Sequence, residues 1–379
     1  MWKTTAGSTG RLLQLCFGYF GFYVLTGVLV KYFTALRSPK LTDIDYLFNN
    51  TLGGSVFALA VVFLLGWFRL KSNRMVRWGP VSFPSEVLYI LPSGICTAVV
   101  IPTTTLMYTL PISVMVAMVI MRGSIIVISR LVDELQIRQG ILRKRVYAEE
   151  NWAVVFALLA VSTNVLLLPL VGSLEQRGWH VAKPLGLASA LGRDHFDFLR
   201  SAPALIIMGL YIAAYAIRIY IMNYYKNTRG KGVKLDNQGF LAVEQIFASL
   251  SMLALGFFFY HSPDWFGWVD RRLVDFRDAV HHPDLLPILS GVPYGAVAFF
   301  SVFIFMFKGR TATFAGLVNR LTSLLAGTAA TLLLWMFFPG SKFPSAQDWV
   351  SVLFILVAVY FLTRAEKLRT AELARTREA

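Results

Sequence analysis

Residues 113–133 read SVMVAMVIMRGSIIVISRLVD, and residues 311–335 read TATFAGLVNRLTSLLAGTAATLLLW. Each stretch is apolar enough to cross a bilayer as a helix, yet each carries an arginine, Arg122 or Arg320, nine residues after its start. At 1.5 Å per residue, both arginines would lie roughly 14 Å along their helices, near the middle of a hydrocarbon core about 30 Å thick. A charge at that depth is costly, so each arginine must face protein or a water-filled cavity.

The composition of the whole chain is that of a membrane protein. Of its 379 residues, 56% are hydrophobic and 15% are charged, whereas soluble domains carry roughly 25% charged residues. Intrinsic disorder is excluded because it requires low hydrophobicity. A disulfide-bonded secreted domain is excluded because the only cysteines are Cys16 and Cys96, both in apolar runs. The net charge of +15 does not indicate nucleic-acid binding, since the basic residues flank apolar runs as membrane anchors do.

Apolar runs of about 20 residues predict ten transmembrane helices. If both termini are cytoplasmic, Lys and Arg favour the cytoplasmic segments by about two to one, as the positive-inside rule requires. We therefore expect an all-α, multi-pass protein of the lipid bilayer, in a bacterial inner membrane or in a Golgi or endoplasmic-reticulum membrane. The predicted spans are residues 12–34, 52–69, 86–108, 112–131, 152–171, 201–222, 240–260, 285–307, 311–338 and 347–363.

The ten spans divide into two sets of five, and an odd number of spans places the second set upside down relative to the first. Spans 3 and 8 each contain two prolines, and each meets the following span in a short turn. Arg122 and Arg320 occupy the same place in spans 4 and 9. Such internal matches are typical of inverted repeats. We expect repeats at 1–171 and 201–363, joined by an outer linker and followed by a cytoplasmic tail; linker and tail cover residues 172–200 and 364–379.

Two mid-membrane arginines with no carboxylate nearby in their own helices predict a central polar cavity that binds an anion. The planar guanidinium suits phosphate or carboxylate. In the alternative interpretation each arginine is structural, and it bonds backbone carbonyls at a proline break or pairs with Glu86 or Glu244. Lys31 and Arg218 lie nearer the helix ends, where extension of the side chain to the membrane interface explains their charge.

Other polar positions carry weaker predictions. Glu86 and Glu244 begin spans 3 and 7, where acids commonly interact with the helix dipole, and proton coupling is the alternative role. Tyr23 is a candidate cavity residue. The sequon at Asn49 matters only in a eukaryotic secretory membrane. Residues 264–280 predict an amphipathic helix on the membrane surface. The five histidines show no zinc-binding spacing, so we expect no metal and no cofactor.

The ten-span topology, together with the motif MVIMRGSIIVISRLVD in span 4, resembles the drug/metabolite transporter superfamily. The resemblance is nearest to its nucleotide-sugar and triose-phosphate translocators and its EamA-like members. Lys31-Tyr32 resembles the Lys-aromatic pair common in these transporters. Asn319-Arg320 falls where such translocators often carry basic residues for the substrate phosphate. The resemblance therefore implies that Lys31, Arg122 and Arg320 contact an anion.

We accordingly expect a secondary transporter, not an enzyme. Its substrate would be a small anionic metabolite, such as a nucleotide sugar, a sugar phosphate or an organic acid, and an antiporter would move it by alternating access. One alternative is an exporter of neutral or amine metabolites on the same fold. A second is a polytopic glycosyltransferase that uses the D-x-D pattern of Asp43 and Asp45 to hold a metal-bound diphosphate. A third is a non-transporting scaffold or receptor. No nucleic-acid partner is expected, and a homodimer is one possible assembly.

Overall fold

The computed structural model describes residues 7–109, 114–185, 202–230, 233–339 and 343–378. These residues form eleven α-helices and one β-hairpin. The helices are α1 (Thr9–Lys31), α2 (Asp43–Leu64), α3 (Val87–Thr109), α4 (Val114–Arg138), α5 (Ala148–Gln176), α6 (Ala202–Asn227), α7 (Asn237–Phe266), α8 (Arg271–His281), α9 (Leu285–Phe305), α10 (Ala312–Phe337) and α11 (Ala346–Glu378). A π-helical turn, Tyr32–Leu36, extends α1, and the hairpin pairs β1 (Met75–Trp78) with β2 (Val81–Pro84).

Most of the long helices have the length and composition of membrane spans. Among the described residues, eight helices are long and apolar enough to cross a bilayer, namely α1, α2, α3, α6, α7, α9, α10 and α11. Helices α4 and α5 contain 25 and 29 residues. The nearly all-α architecture agrees with the integral membrane protein that the composition predicts.

The start of α1 and the polar section of α11 lie at one end of the helix bundle, called the termini end below. Thr9 Oγ1, at the start of α1, donates to Glu366 Oε1 in α11 at 2.7 Å. Arg310, in the turn between α9 and α10, forms a bidentate ion pair with the same glutamate. The α2–α3 and α6–α7 connections also meet at this end, where Arg229 pairs with Glu86 at 2.7 Å. The long helices therefore alternate in direction along the chain.

Between α2 and α9 and between α3 and α7, glycines face the neighbouring backbone. A Cβ atom on Gly94 in α3 would lie 2.8 Å from the carbonyl oxygen of Glu244 in α7. A Cβ atom on Gly291 in α9 would overlap the carbonyl oxygen of Asn50 in α2. Small residues such as glycine let the backbones of membrane helices approach closely. Further contacts join α3 to α6, α1 to α9 and α10, α4 to α6 and α10, and α5 to α11.

Helix α2 begins at Asp43, well before the predicted span of 52–69, because Thr42 caps it. Thr42 Oγ1 accepts a hydrogen bond from the Asp45 amide, and the Asp45 carboxylate accepts one from the Thr42 amide, which is a capping box. The D-x-D pattern is thus the first turn of a helix. Asn49 is buried in the same helix and bonds the Asp45 carbonyl and the Asp284 amide. Its side chain is therefore inaccessible to glycosylation in the folded protein.

The predicted tail 364–379 is not separate from the last span, because α11 continues to Glu378. Its polar section packs against the start of α5. Arg369 is buried, pairs with Glu150 at 3.2 Å and lies 4.5 Å from the centre of the Tyr147 ring. These contacts fix the C-terminal helix to the termini end.

Two short elements complete the fold. The β1–β2 hairpin between α2 and α3 was not predicted; its turn contains Gly79 with φ +60°. Helix α8 begins within the segment 264–280, where an amphipathic helix was predicted, ends at His281, and packs on α2 and α7. The predicted turn at 110–111 and linker residues 186–200 lie outside the described residues.

Candidate functional site

A central cavity of about 180 Å³ lies between α1, α2, α3, α4, α6, α7, α9 and α10. Every long helix except α5 and α11 contributes to its wall. None of the described residues that line it is an aspartate or glutamate. Its arginines and tyrosines are Arg122, Arg218, Arg320, Tyr19, Tyr23, Tyr211, Tyr215 and Tyr294.

Arg320 reaches the cavity from α10, and its positive charge is not neutralised by any carboxylate among the described residues. Its Nη2 donates to the Tyr215 hydroxyl at 3.3 Å, and its guanidinium carbon lies 5.4 Å from the centre of that ring. The Nε atom is buried and has no hydrogen-bond partner among the described residues. No described carboxylate lies within ion-pair distance of Arg320. The guanidinium therefore retains both positive charge and donor capacity.

Arg122 reaches the same cavity from α4. Its side chain is buried, and no described carboxylate pairs with it. A Cβ atom on Gly327 of α10 would lie 3.9 Å from Arg122 Nη2, which places the guanidinium against the helix that carries Arg320. The Tyr211 hydroxyl donates to the carbonyl of Met121, next to this arginine, at 3.2 Å. The structure thus brings the two predicted arginines to one site.

Arg218, the third cavity arginine, is neutralised by Glu244. Its Nε and Nη2 atoms donate to the two carboxylate oxygens at 2.8 and 3.0 Å. Ser93 and Thr97 of α3 also donate to Glu244, at 2.6 and 3.4 Å. The expectation that Arg218 extends to the membrane interface is wrong. Helix α7 begins at Asn237, so Glu244 lies two turns inside the bundle and holds the arginine there.

These contacts leave the cavity positively charged. One form of the structural interpretation paired Arg122 and Arg320 with Glu86 or Glu244, but each glutamate pairs with another arginine. Two guanidinium groups therefore share the cavity without a counter-charge among the described residues. Buried charges are strongly destabilising unless paired, so an anion bound between them would be strongly favoured.

Tyr23 lines the cavity as predicted, and Asn319 lies directly behind its wall. Tyr19 donates from its hydroxyl to Asn319 Oδ1 at 3.5 Å. Asn319 Nδ2 donates to the Ser301 hydroxyl at 3.0 Å. Asn319 therefore positions cavity residues of α1 and α9 and does not itself line the space.

Lys31 and Glu86 lie apart from the cavity. Lys31 is the exposed last residue of α1. Glu86 precedes α3 at the termini end and accepts hydrogen bonds from the Asn73 amide at 2.6 Å and from Arg229 at 2.7 Å. Burial raises the pKa of Glu86, but hydrogen bonds from Ser72 and Asn73 and the charge of Arg229 hold this pKa below its usual value. Glu86 is thus an ionised residue that links the α2–α3 connection to the α6–α7 connection through Arg229.

Tyr211 and Tyr215 belong to the site but were not predicted. With Arg218 they follow the spacing i, i+4, i+7, which places all three on one face of α6. A polar stripe within an apolar span was the sequence signal for them.

The enzyme alternative would need a metal site. No cluster of three or more His, Cys, Asp or Glu side chains within the described ranges could hold a metal ion.

Comparison with known proteins supports the fold alone. No family model matches the chain, and no curated protein sequence matches it. One solved structure, described only as "Crystal structure of protein", is similar over 95% of this chain and 99% of its own, with a TM-score of 0.50 and 15% sequence identity. A likeness at that identity indicates a shared helical architecture over nearly the full length, and function has to be argued from the site.

Proposed function

We propose that this protein is a secondary transporter whose central cavity binds a small anionic metabolite. The observation that carries the proposal is the pair of buried arginines, Arg122 and Arg320, which line one cavity without a carboxylate partner. Guanidinium groups bind phosphate and carboxylate through paired donors. A bound substrate would supply the missing charge, and exchange for a second anion would keep the cavity from being left empty.

The helix contacts support an arrangement of ten spans as two inverted repeats. In this arrangement α1, α2, α3, α4 and α5 correspond to α6, α7, α9, α10 and α11, in that order. The correspondence turns the α2–α9 contact into an α7–α3 contact, the α1–α9 contact into α6–α3, and the α1–α10 contact into α6–α4. All six of these helix pairs are in contact. Helix pairs α4–α10 and α5–α11 convert into themselves. Because each set has five spans, a rotation that relates them also inverts them.

Residue contacts support the same relation. Gly94 of α3 approaches Glu244, the eighth residue of α7, and Gly291 of α9 approaches Asn50, the eighth residue of α2. The arginines of α4 and α10 are each the ninth residue of their helix. Alternating access would then rock one repeat against the other about the contacts of α4 with α10 and α5 with α11, with both termini cytoplasmic.

The site chemistry disfavours two of the alternatives. An ammonium group in the cavity would meet two unpaired guanidinium groups, which disfavours amine export. The glycosyltransferase alternative requires Asp43 and Asp45 as metal ligands, but Asp45 is engaged in capping α2.

The test is exchange in proteoliposomes preloaded with nucleotide sugars, sugar phosphates and organic acids. Wild-type protein should exchange at least one labelled anion, and Arg122→Ala or Arg320→Ala should slow that exchange by at least about thirtyfold, because each removes a buried charge from the anion site. Arg138→Ala is the matched control, since that side chain is 76% exposed at the end of α4. Absence of any anion exchange, or exchange unaffected by both cavity substitutions in folded protein, would contradict the proposal.

A further inference from the structure

A second concavity, called the lateral groove, lies between α2, α3, α7 and α8 and encloses about 780 Å³. Its walls are mostly apolar and include Leu47 and Phe48 of α2, Leu253 of α7 and Phe276 of α8. Helix α8 borders the groove at the end of the bundle opposite the termini. The groove therefore offers an apolar environment to one side of the arginine cavity.

The groove adjoins the cavity. Four residues line both spaces, namely Thr51, Ser55, Ile101 and Met252. A ligand could therefore occupy the charged cavity and the apolar groove at once. A wholly polar metabolite would leave the groove unfilled, and a wholly apolar one would leave the two guanidinium groups without a partner.

Two buried hydroxyls belong to residues that line these spaces. Thr51 Oγ1, which borders both spaces, and Ser249 Oγ, which borders the groove, are buried without a hydrogen-bond partner among the described residues. Ser249 is only 6% exposed. Buried hydroxyls normally have a partner, and rotation of the Thr51 side chain toward the spaces it borders would let its hydroxyl bond an oxygen of a bound ligand.

We propose that the substrate is a lipid phosphate monoester with a single apolar chain. This inference rests on the proposed anion transport and names the substrate class of the same site. The phosphate would bind Arg122 and Arg320, since a monoester carries about −1.5 to −2 charges at pH 7 and the cavity has two uncompensated guanidinium groups. The bridging ester oxygen would accept a hydrogen bond from Thr51, which borders both spaces, and the chain would lie in the lateral groove.

Filling the groove tests this inference. Gly256 of α7 lines the groove, and a Cβ atom there would meet only Phe276, at 3.7 Å, so the side chain of Gly256→Leu would enter the space. Gly209→Leu is the matched control, because nothing lies within 4 Å of a Cβ atom at that exposed position of α6. Leu253→Trp, at an exposed groove position, is a second variant in case Gly256→Leu fails to fold.

The experiment measures binding of dodecyl phosphate and methyl phosphate to each variant in nanodiscs of one lipid composition. Partition of the long chain into the bilayer is the same for all variants, so it cancels from the comparison. Gly256→Leu and Leu253→Trp should weaken dodecyl phosphate binding by about tenfold or more, the effect of inserting methylenes into an occupied space. Methyl phosphate binding should not change, and Gly209→Leu should change neither.

The outcomes separate the two proposals. If both phosphates bind and depend on Arg122 but neither groove variant weakens dodecyl phosphate, the lipid inference is overturned and anion binding stands. If wild-type protein binds no phosphate and exchanges no anion, both proposals fail. If dodecyl phosphate binds equally to Arg122→Ala, the chain alone drives binding and the inference is also overturned.

Discussion

The ion pair of Arg218 with Glu244 should be measurable as an energetic coupling in a double-variant cycle. Glu244→Gln leaves a buried guanidinium without a counter-charge, and Arg218→Gln leaves a buried carboxylate. Each single substitution should lower the free energy of unfolding by about 3–5 kcal/mol, the cost of breaking a buried pair. The double variant removes both charges, so its cost should be clearly smaller than the sum of the two.

The size of the coupling follows from the contacts that the two side chains share. They share two charge-assisted hydrogen bonds, at 2.8 and 3.0 Å, and such bonds contribute about 1.5–3 kcal/mol each. The donors Ser93 and Thr97 bond Glu244 whether or not Arg218 is present, so they do not enter the coupling. We expect a coupling of about 3 kcal/mol, which is roughly 150-fold in the equilibrium constant.

The assay is reversible unfolding in mixed micelles with an increasing fraction of SDS. The control cycle uses Arg138 and Glu134, an i,i+4 pair of α4 whose side chains are 76% and 40% exposed. Its coupling should be only about 0.3–0.5 kcal/mol. A coupling for the cavity pair as small as that of the exposed pair would show that Glu244 does not neutralise Arg218, and the charge assigned to the cavity would be wrong.

Other parts of the structure give further expectations. Gly94→Ala and Gly291→Ala should each lower the thermal unfolding temperature by about 5 °C through overpacking, whereas Gly209→Ala should not. Because the pKa of Glu86 is lowered, its ion pair should stabilise the protein above the ordinary glutamate pKa of about 4.3 and lose that effect as the pH falls further. Wild-type protein should therefore be more stable than Glu86→Gln at pH 6, with the difference declining below pH 4. In eukaryotic cells Asn49 should carry no glycan, so endoglycosidase should leave the electrophoretic mobility unchanged.

The position of charge within the spans could be predicted from the sequence, but its pairing could not. Arg122 and Arg320 each interrupt an apolar run, and that signal is local. The partner of Arg218 depends on how α6 and α7 pack against α3, since Ser93 and Thr97 help to orient Glu244. Residues 26 positions apart on two different helices leave no periodic signal that links them.

Helix ends were also predicted poorly, for a different physical reason. Hydropathy locates the part of a helix that lies in lipid, whereas capping determines where the helix begins. Thr42 starts α2 and Asp236 starts α7, each by accepting a backbone hydrogen bond with its side chain. At the other end of the chain, α11 continues beyond its apolar part because Arg369 forms a buried ion pair.

The charge of the cavity arises from a difference between the two proposed repeats. Asn50 and Glu244 hold equivalent places, and each bonds a serine of the facing helix, Ser290 in one case and Ser93 in the other. Of these two equivalent positions, only Glu244 in the proposed second repeat carries a carboxylate. The charge of that carboxylate is neutralised by Arg218 of the same repeat. The equivalent arginines of α4 and α10 keep their charge because neither repeat offers a further acid to the cavity among the described residues. Under the proposed function, repetition would supply two matched anion contacts, and the neutral Asn50 would help to preserve their positive charge.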